Sequence, residues 1–108
     1  MADPARTVVP ARHQYPVIDD LGLEAARHAD RLLTAARERG HARWTAYLEP
    51  LPDRLRDDDL RGLRAAAVRS RAAYGPKDSI RDVLPEELTE PFLESIDRLL
   101  REINRSRS

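Results

Sequence analysis

Cysteine is absent from this 108-residue chain. That excludes disulfides, thiolate nucleophiles and zinc–sulfur sites. Aromatics are scarce, with one Trp, one Phe and three Tyr. Val and Ile are few, and the large aliphatics are mostly Leu. Leu and Ala favour helix while β-branched residues favour strand, so the composition points to an all-α protein. Only four glycines are present, scattered along the chain, and they form no phosphate-cradling loop. No run approaches the ~20 apolar residues of a membrane span. The opening MADPARTVVP has no apolar stretch of the kind a secretory signal needs. The expected protein is cytoplasmic and makes no membrane contact.

Lysine is nearly missing: Lys77 is the only Lys among 19 basic residues. Nineteen acids balance them, so net charge carries no case for nucleic acid or membrane. Arginine suits bidentate contacts to phosphate or carboxylate. A GC-rich genome, however, raises Arg and Ala together everywhere, and the matching number of acids favours that plainer origin.

What is present organises into helices. Residues 1–19 hold Pro4, Pro10 and Pro16 without a helical period. They read as an extended or partly disordered arm, with Tyr15, Val17 and Ile18 docking on the helices behind it. One helical domain is expected over 20–105, with a frayed tail at 106–108. Asp19 and Asp20 suit a helix start. From there Leu21, Ala25, Ala29, Leu32, Leu33 and Ala36 recur at spacings of three and four. The stripe stays in phase through Gly40 to Trp44, Tyr47 and Leu48. One long helix over 20–48, kinked at Gly40, is therefore preferred to two. The segment EPLPD at 49–53 ends it.

A second helix is expected from Asp57 to Tyr74, capped by the run Asp57–Asp59 and stopped by Gly75-Pro76. Its inner face comprises Leu60, Leu63, Ala66, Ala67, Ser70 and Tyr74. Asp78 should cap a short turn, SIRDVL, cut by Pro85. Either Pro85 or the TEP at 89–91, with Thr89 as cap, suits the start of the last helix. Leu88, Phe92, Ile96, Leu99 and Ile103 form its stripe, widened by Leu93 and Leu100. Glu94–Arg98 and Asp97–Arg101 have the spacing of helical ion pairs. The expected architecture is a small bundle of three main helices plus a short fourth turn. Its Ala-rich faces bury little area per residue, which favours a homodimer or a covering protein partner.

Catalytic and metal signatures are sparse. Glu24 and His28 are four apart, but the Glu-x-x-His pairs of helical di-metal sites do not occur. His28 reads as a boundary histidine paired with Glu24, and no metal or cofactor is expected. Ser70, Ser79 and Ser95 stand in no nucleophile motif. A small helical enzyme without metal is the third-ranked reading.

Charge is segregated. Arg61, Arg64, Arg69, Arg71 and Lys77 fall in a stretch without an acid. Residues 78–97 then hold seven acids against Arg81 alone. The five bases are candidate phosphate contacts for a DNA-associated regulator. As a helix-turn-helix the region fails, because its second helix would be short and acidic. The preferred expectation is that the basic helix faces its own acidic neighbour or water. Trp44, Tyr47 and Tyr74 lie near helix ends. They read as core packing or, functionally, as anchors for a protein partner. The leading functional expectation is an adaptor, regulator or small component of a complex, acting through protein–protein contacts.

Overall fold

The computed structural model describes residues 11–106. The first ten residues of the expected arm and the last two of the expected tail lie outside the described residues. The fold is all-α, and no strand occurs among the described residues.

Helix α1 spans Pro16–Glu38, with proline in its first turn. It thus begins inside the expected arm, because Pro16 has a φ suited to a first helical residue and no N–H to leave orphaned. Tyr15 and Ile18 pack on the core, but Val17 points outward and is 57% exposed. The anchor for the preceding segment is instead Arg12, in a 3-10 turn over Arg12–Gln14.

Gly40 ends α1, so the expected continuous helix over 20–48 is two helices. Gly40 has a φ of +64°. Its N–H donates to Arg37 O at 3.0 Å, and His41 N–H donates to Ala36 O at 3.0 Å. Those two bonds are the Schellman arrangement, which closes a helix and turns the chain. Helix α2 follows at Ala42–Leu48, with the His41 side chain accepting from Trp44 N–H. An in-phase apolar stripe does not distinguish one helix from two that bury against the same core.

The prolines of EPLPD open a helix as well as closing one. Helix α3, Leu51–Asp57, carries Pro52 in its first turn and buries Leu51, Pro52 and Leu55. No helix was expected over residues 51–56. Helix α4 is Leu60–Ala72, with the Asp59 carboxylate accepting from Gly62 N–H at 2.8 Å. The following 3-10 turn, Ile80–Asp82, is capped by Ser79 rather than Asp78. The Ser79 hydroxyl accepts from Arg81 N–H, and Asp82 accepts from Ser79 N–H.

Helix α5 runs Glu86–Ser106 and contains Pro91. Its first bonds go to Pro85 O, from Leu88 and Thr89 N–H. Of the two expected starts, Pro85 is the one used, and Thr89 is a fully buried helical residue.

Helix α1 packs on α2, α3 and α5, while α4 packs on α3 and α5. The four longer contacts close a ring, with α1 and α4 at opposite corners. Its interior is one cluster drawn from every helix, including Leu32, Leu55, Leu63, Phe92, Ile96 and Leu99. Fully burying each such side chain is worth roughly 1.5–3 kcal/mol. Alanines 25, 26, 29 and 36 are completely buried on α1 and bring the axes close. Among the described residues only Val17 and Val68 are large hydrophobics left exposed. The apolar stripes are therefore covered within a single chain.

Candidate interaction surface

Helix α4 directs Leu63, Ala66, Ala67 and Ser70 inward. At 100° per residue the opposite face must hold residues 61, 65, 68 and 72 at its centre. Arg61, Ala65, Val68 and Ala72 are all exposed, Val68 by 45%. Arg64 and Arg71 flank this strip on one side and Arg69 on the other. Lys77 is exposed beyond the helix end. Three of the five expected basic residues thus flank this strip, Arg61 lies at its end, and Lys77 lies past it. The strip itself was missed from the sequence, although its 4-3-4 spacing was readable there.

The arginines are not equivalent. Arg71 Nε lies 3.0 Å from Asp97 Oδ1 on α5, as expected of a basic helix beside an acidic one. Arg69 lies over the Tyr47 ring, its guanidinium carbon 4.1 Å from the centroid. The Tyr47 hydroxyl donates to Arg69 O at 2.6 Å, taking up a carbonyl of the last turn of α4. Among the described residues no carboxylate lies within 4.0 Å of Arg61, Arg64 or Lys77.

The three aromatic candidates separate. Trp44 and Tyr47 meet edge to face at 5.1 Å, with Arg43 5.5 Å from the Trp44 ring. Trp44 is buried and Tyr47 half-buried. Tyr74 is buried elsewhere, its hydroxyl donating to Thr89 O at 2.6 Å. Burial, with Glu90 nearby, pushes its phenol well above the usual tyrosine range. Tyr47 alone borders the α4 face.

Along α5 the ion pair is Glu102–Arg105, at 2.7 Å, and the other charged side chains of that helix that pair reach neighbouring elements. Arg98 reaches Glu24 of α1 at 2.7 Å, and Asp97 reaches α4, so neither expected pair within α5 forms. The Arg98 hydrogen bond holds the Glu24 carboxyl below its ordinary range. Glu24 is therefore not a dedicated partner of His28. His28 contacts Arg31 at 3.5 Å, and burial followed by that cation lowers the imidazole pKa. Among the described residues no group of three or more His, Asp or Glu is placed to hold a metal.

One hydroxyl does meet a carboxylate, since Thr89 Oγ1 donates to Glu90 Oε2 at 3.2 Å. Arg81 grips Glu90 with two bonds of 2.8 Å and holds its carboxyl below the usual range. Thr89 is fully buried, so a weakened base stands beside an inaccessible hydroxyl. That arrangement braces the 3-10 turn against α5 and does not suit nucleophilic chemistry.

No protein-family model matches this chain, and no match to it is found among curated proteins or solved structures. No helix among the described residues is long and apolar enough to cross a membrane.

Proposed function

We propose that this chain is a small binding module that acts through protein–protein contact, using the outer face of α4 with Tyr47 at its edge. The observation that carries this reading is Val68, 45% exposed between Ala65 and Ala72 and framed by Arg61, Arg64, Arg69 and Arg71. Every other helix turns its large hydrophobics inward, apart from Val17 at the start of α1. Arginine around a desolvated apolar centre is the composition of an interface. Trp44 lies behind Tyr47, and its burial, like that of Tyr74 elsewhere in the fold, keeps it from direct contact in this conformation.

The test compares the wild type with Val68→Asp as bait in lysate of the native host. A partner identified by mass spectrometry and lost with Val68→Asp supports this surface. Capture unaffected by that change would move the contact elsewhere, and circular dichroism establishes that the variant is folded.

A second reading, a DNA-associated regulator, has one observation in its favour. Arg61, Arg64 and Lys77 are exposed with no carboxylate within 4.0 Å among the described residues, which leaves them open to phosphates. Duplex binding that falls steeply with salt, and that Arg61→Glu/Arg64→Glu abolishes, would establish it. These two positions are preferred to Arg71, which is already engaged by Asp97.

A further inference from the structure

We propose that the outer face of α4 is a two-heptad seam, and that its occupant is an amphipathic helix flanked by Glu and Asp. This rests on the reading of α4 as the contact surface and names the partner's chemistry. Positions 61, 65, 68 and 72 are spaced four, three and four. That is the d-a-d-a spacing of a coiled-coil seam. Here it points to solvent, because the opposite face of α4 already fills the core. Ala65 and Ala72 at a, with Val68 at d, are small enough to let a partner axis approach near the short end of the 8–10 Å range.

The flanks decide the partner. In this register Arg64 and Arg71 occupy g positions and Arg69 an e position; Arg71 already meets Asp97 through Nε and Arg69 lies on Tyr47, so Arg64, with Arg61, carries the unmet charge. No acid occurs between Leu60 and Lys77. The e and g residues of a seam select partners by charge. A complementary helix therefore carries carboxylates at its own e and g positions. Arg61 lies within the seam at d, with no carboxylate beside it among the described residues, and adds demand for an acid there. The same flanks oppose a second copy of α4, since arginine would meet arginine. The helix is about 20 Å long at 1.5 Å per residue, so the contact is short and suits reversible association.

The experiment uses a labelled three-heptad helix with Ala and Leu at its contact positions and Glu at e and g. A counterpart carries Lys at e and g, and a duplex DNA serves as the third probe. Anisotropy is read at low and moderate salt against the full chain. The Glu helix should bind and the Lys helix should not. Val68→Asp should weaken binding about tenfold or more, as expected for a central interface residue. Arg61→Glu/Arg64→Glu should weaken the Glu helix and strengthen binding of the Lys helix, a gain that loss of folding cannot produce.

Equal binding of the two helices, or no effect of Val68→Asp, overturns the proposal. If neither helix binds while the wild type, but not Val68→Asp, captures a protein from lysate, the acidic partner is wrong and the contact surface stands. Tighter binding of the duplex than of the Glu helix overturns both.

Discussion

Replacing Gly22 by Ala should destabilise this protein, against the usual effect of such a change. In a helix interior, Gly to Ala ordinarily adds about 1 kcal/mol of stability. Gly22 lies within α1, where the helix meets α3. A Cβ there would lie 2.6 Å from Arg12 Nη2, 3.0 Å from Leu55 O and 3.2 Å from Leu63 Cδ1. The guanidinium can swing away, but the Leu55 carbonyl belongs to the α3 backbone and cannot. Moving Arg12 is also costly. It is 9% exposed, and its Nε bonds Asp19 Oδ1 at 2.9 Å while Nη1 bonds Asp58 O at 3.1 Å. Asp58 O is at the C-terminal end of α3, where a cation is favourable.

Overpacking costs about 1–3 kcal/mol, and losing a hydrogen bond from a charged donor about 1.5–3 kcal/mol. Set against the helix-propensity gain, a net loss of about 2 kcal/mol is expected. Urea denaturation followed at 222 nm measures it, with a fall in Tm of about 4–8 °C per kcal/mol as a second readout. In an Arg12→Ala background the penalty should shrink, because one of the three collisions is gone. A Gly22→Ala protein as stable as wild type, or more so, would refute the close-approach reasoning.

Gly40 provides the contrast, since an added Cβ would meet nothing within 4 Å. Its φ of +64° alone sets the cost. Gly40→Ala should lose about 1 kcal/mol and Gly40→Asn less, measured by the same denaturation. Ser95 Oγ is buried without a hydrogen-bond partner among the described residues. Ser95→Ala should therefore be neutral or stabilising by about 1 kcal/mol, and a clear loss would reveal a partner for that hydroxyl. His28 titrates below its ordinary value, so the unfolded chain binds its proton more readily. Its contribution is present above the unfolded value near 6.5 and is lost as pH falls toward the lowered folded value. Stability measured from pH 7.5 to 5 should fall, and His28→Gln should flatten that slope. Finally, a Glu24→Gln/Arg98→Met double-mutant cycle should return a coupling of about 0.2–1 kcal/mol, as for exposed pairs.

Composition and spacing alone set the class and the inner faces. Leu, Ala and the three-and-four spacing select helix, and the residues that pattern names on α4 and α5 are mostly the buried ones. The cap at Asp59 and the termination near Gly75-Pro76 follow from local chemistry that needs no distant partner. The segregated charge could be read as well, and Arg71 does meet an α5 carboxylate.

Other features needed tertiary contacts. Gly40 is tolerated inside a helix or ends one, and only the packing of Trp44 and Leu48 into the shared core selects the break. Pro52 stops α2 and starts α3 because Leu51 and Leu55 have a core to enter. Arg12 is ordinary in sequence, and its role requires the end of α3, 46 residues away, to lie beside it. Arg98 pairs with Glu24, 74 residues distant, in preference to its neighbour on the same helix. Which arginines meet a carboxylate, as Arg71 does, follows from which faces the ring of helices brings together.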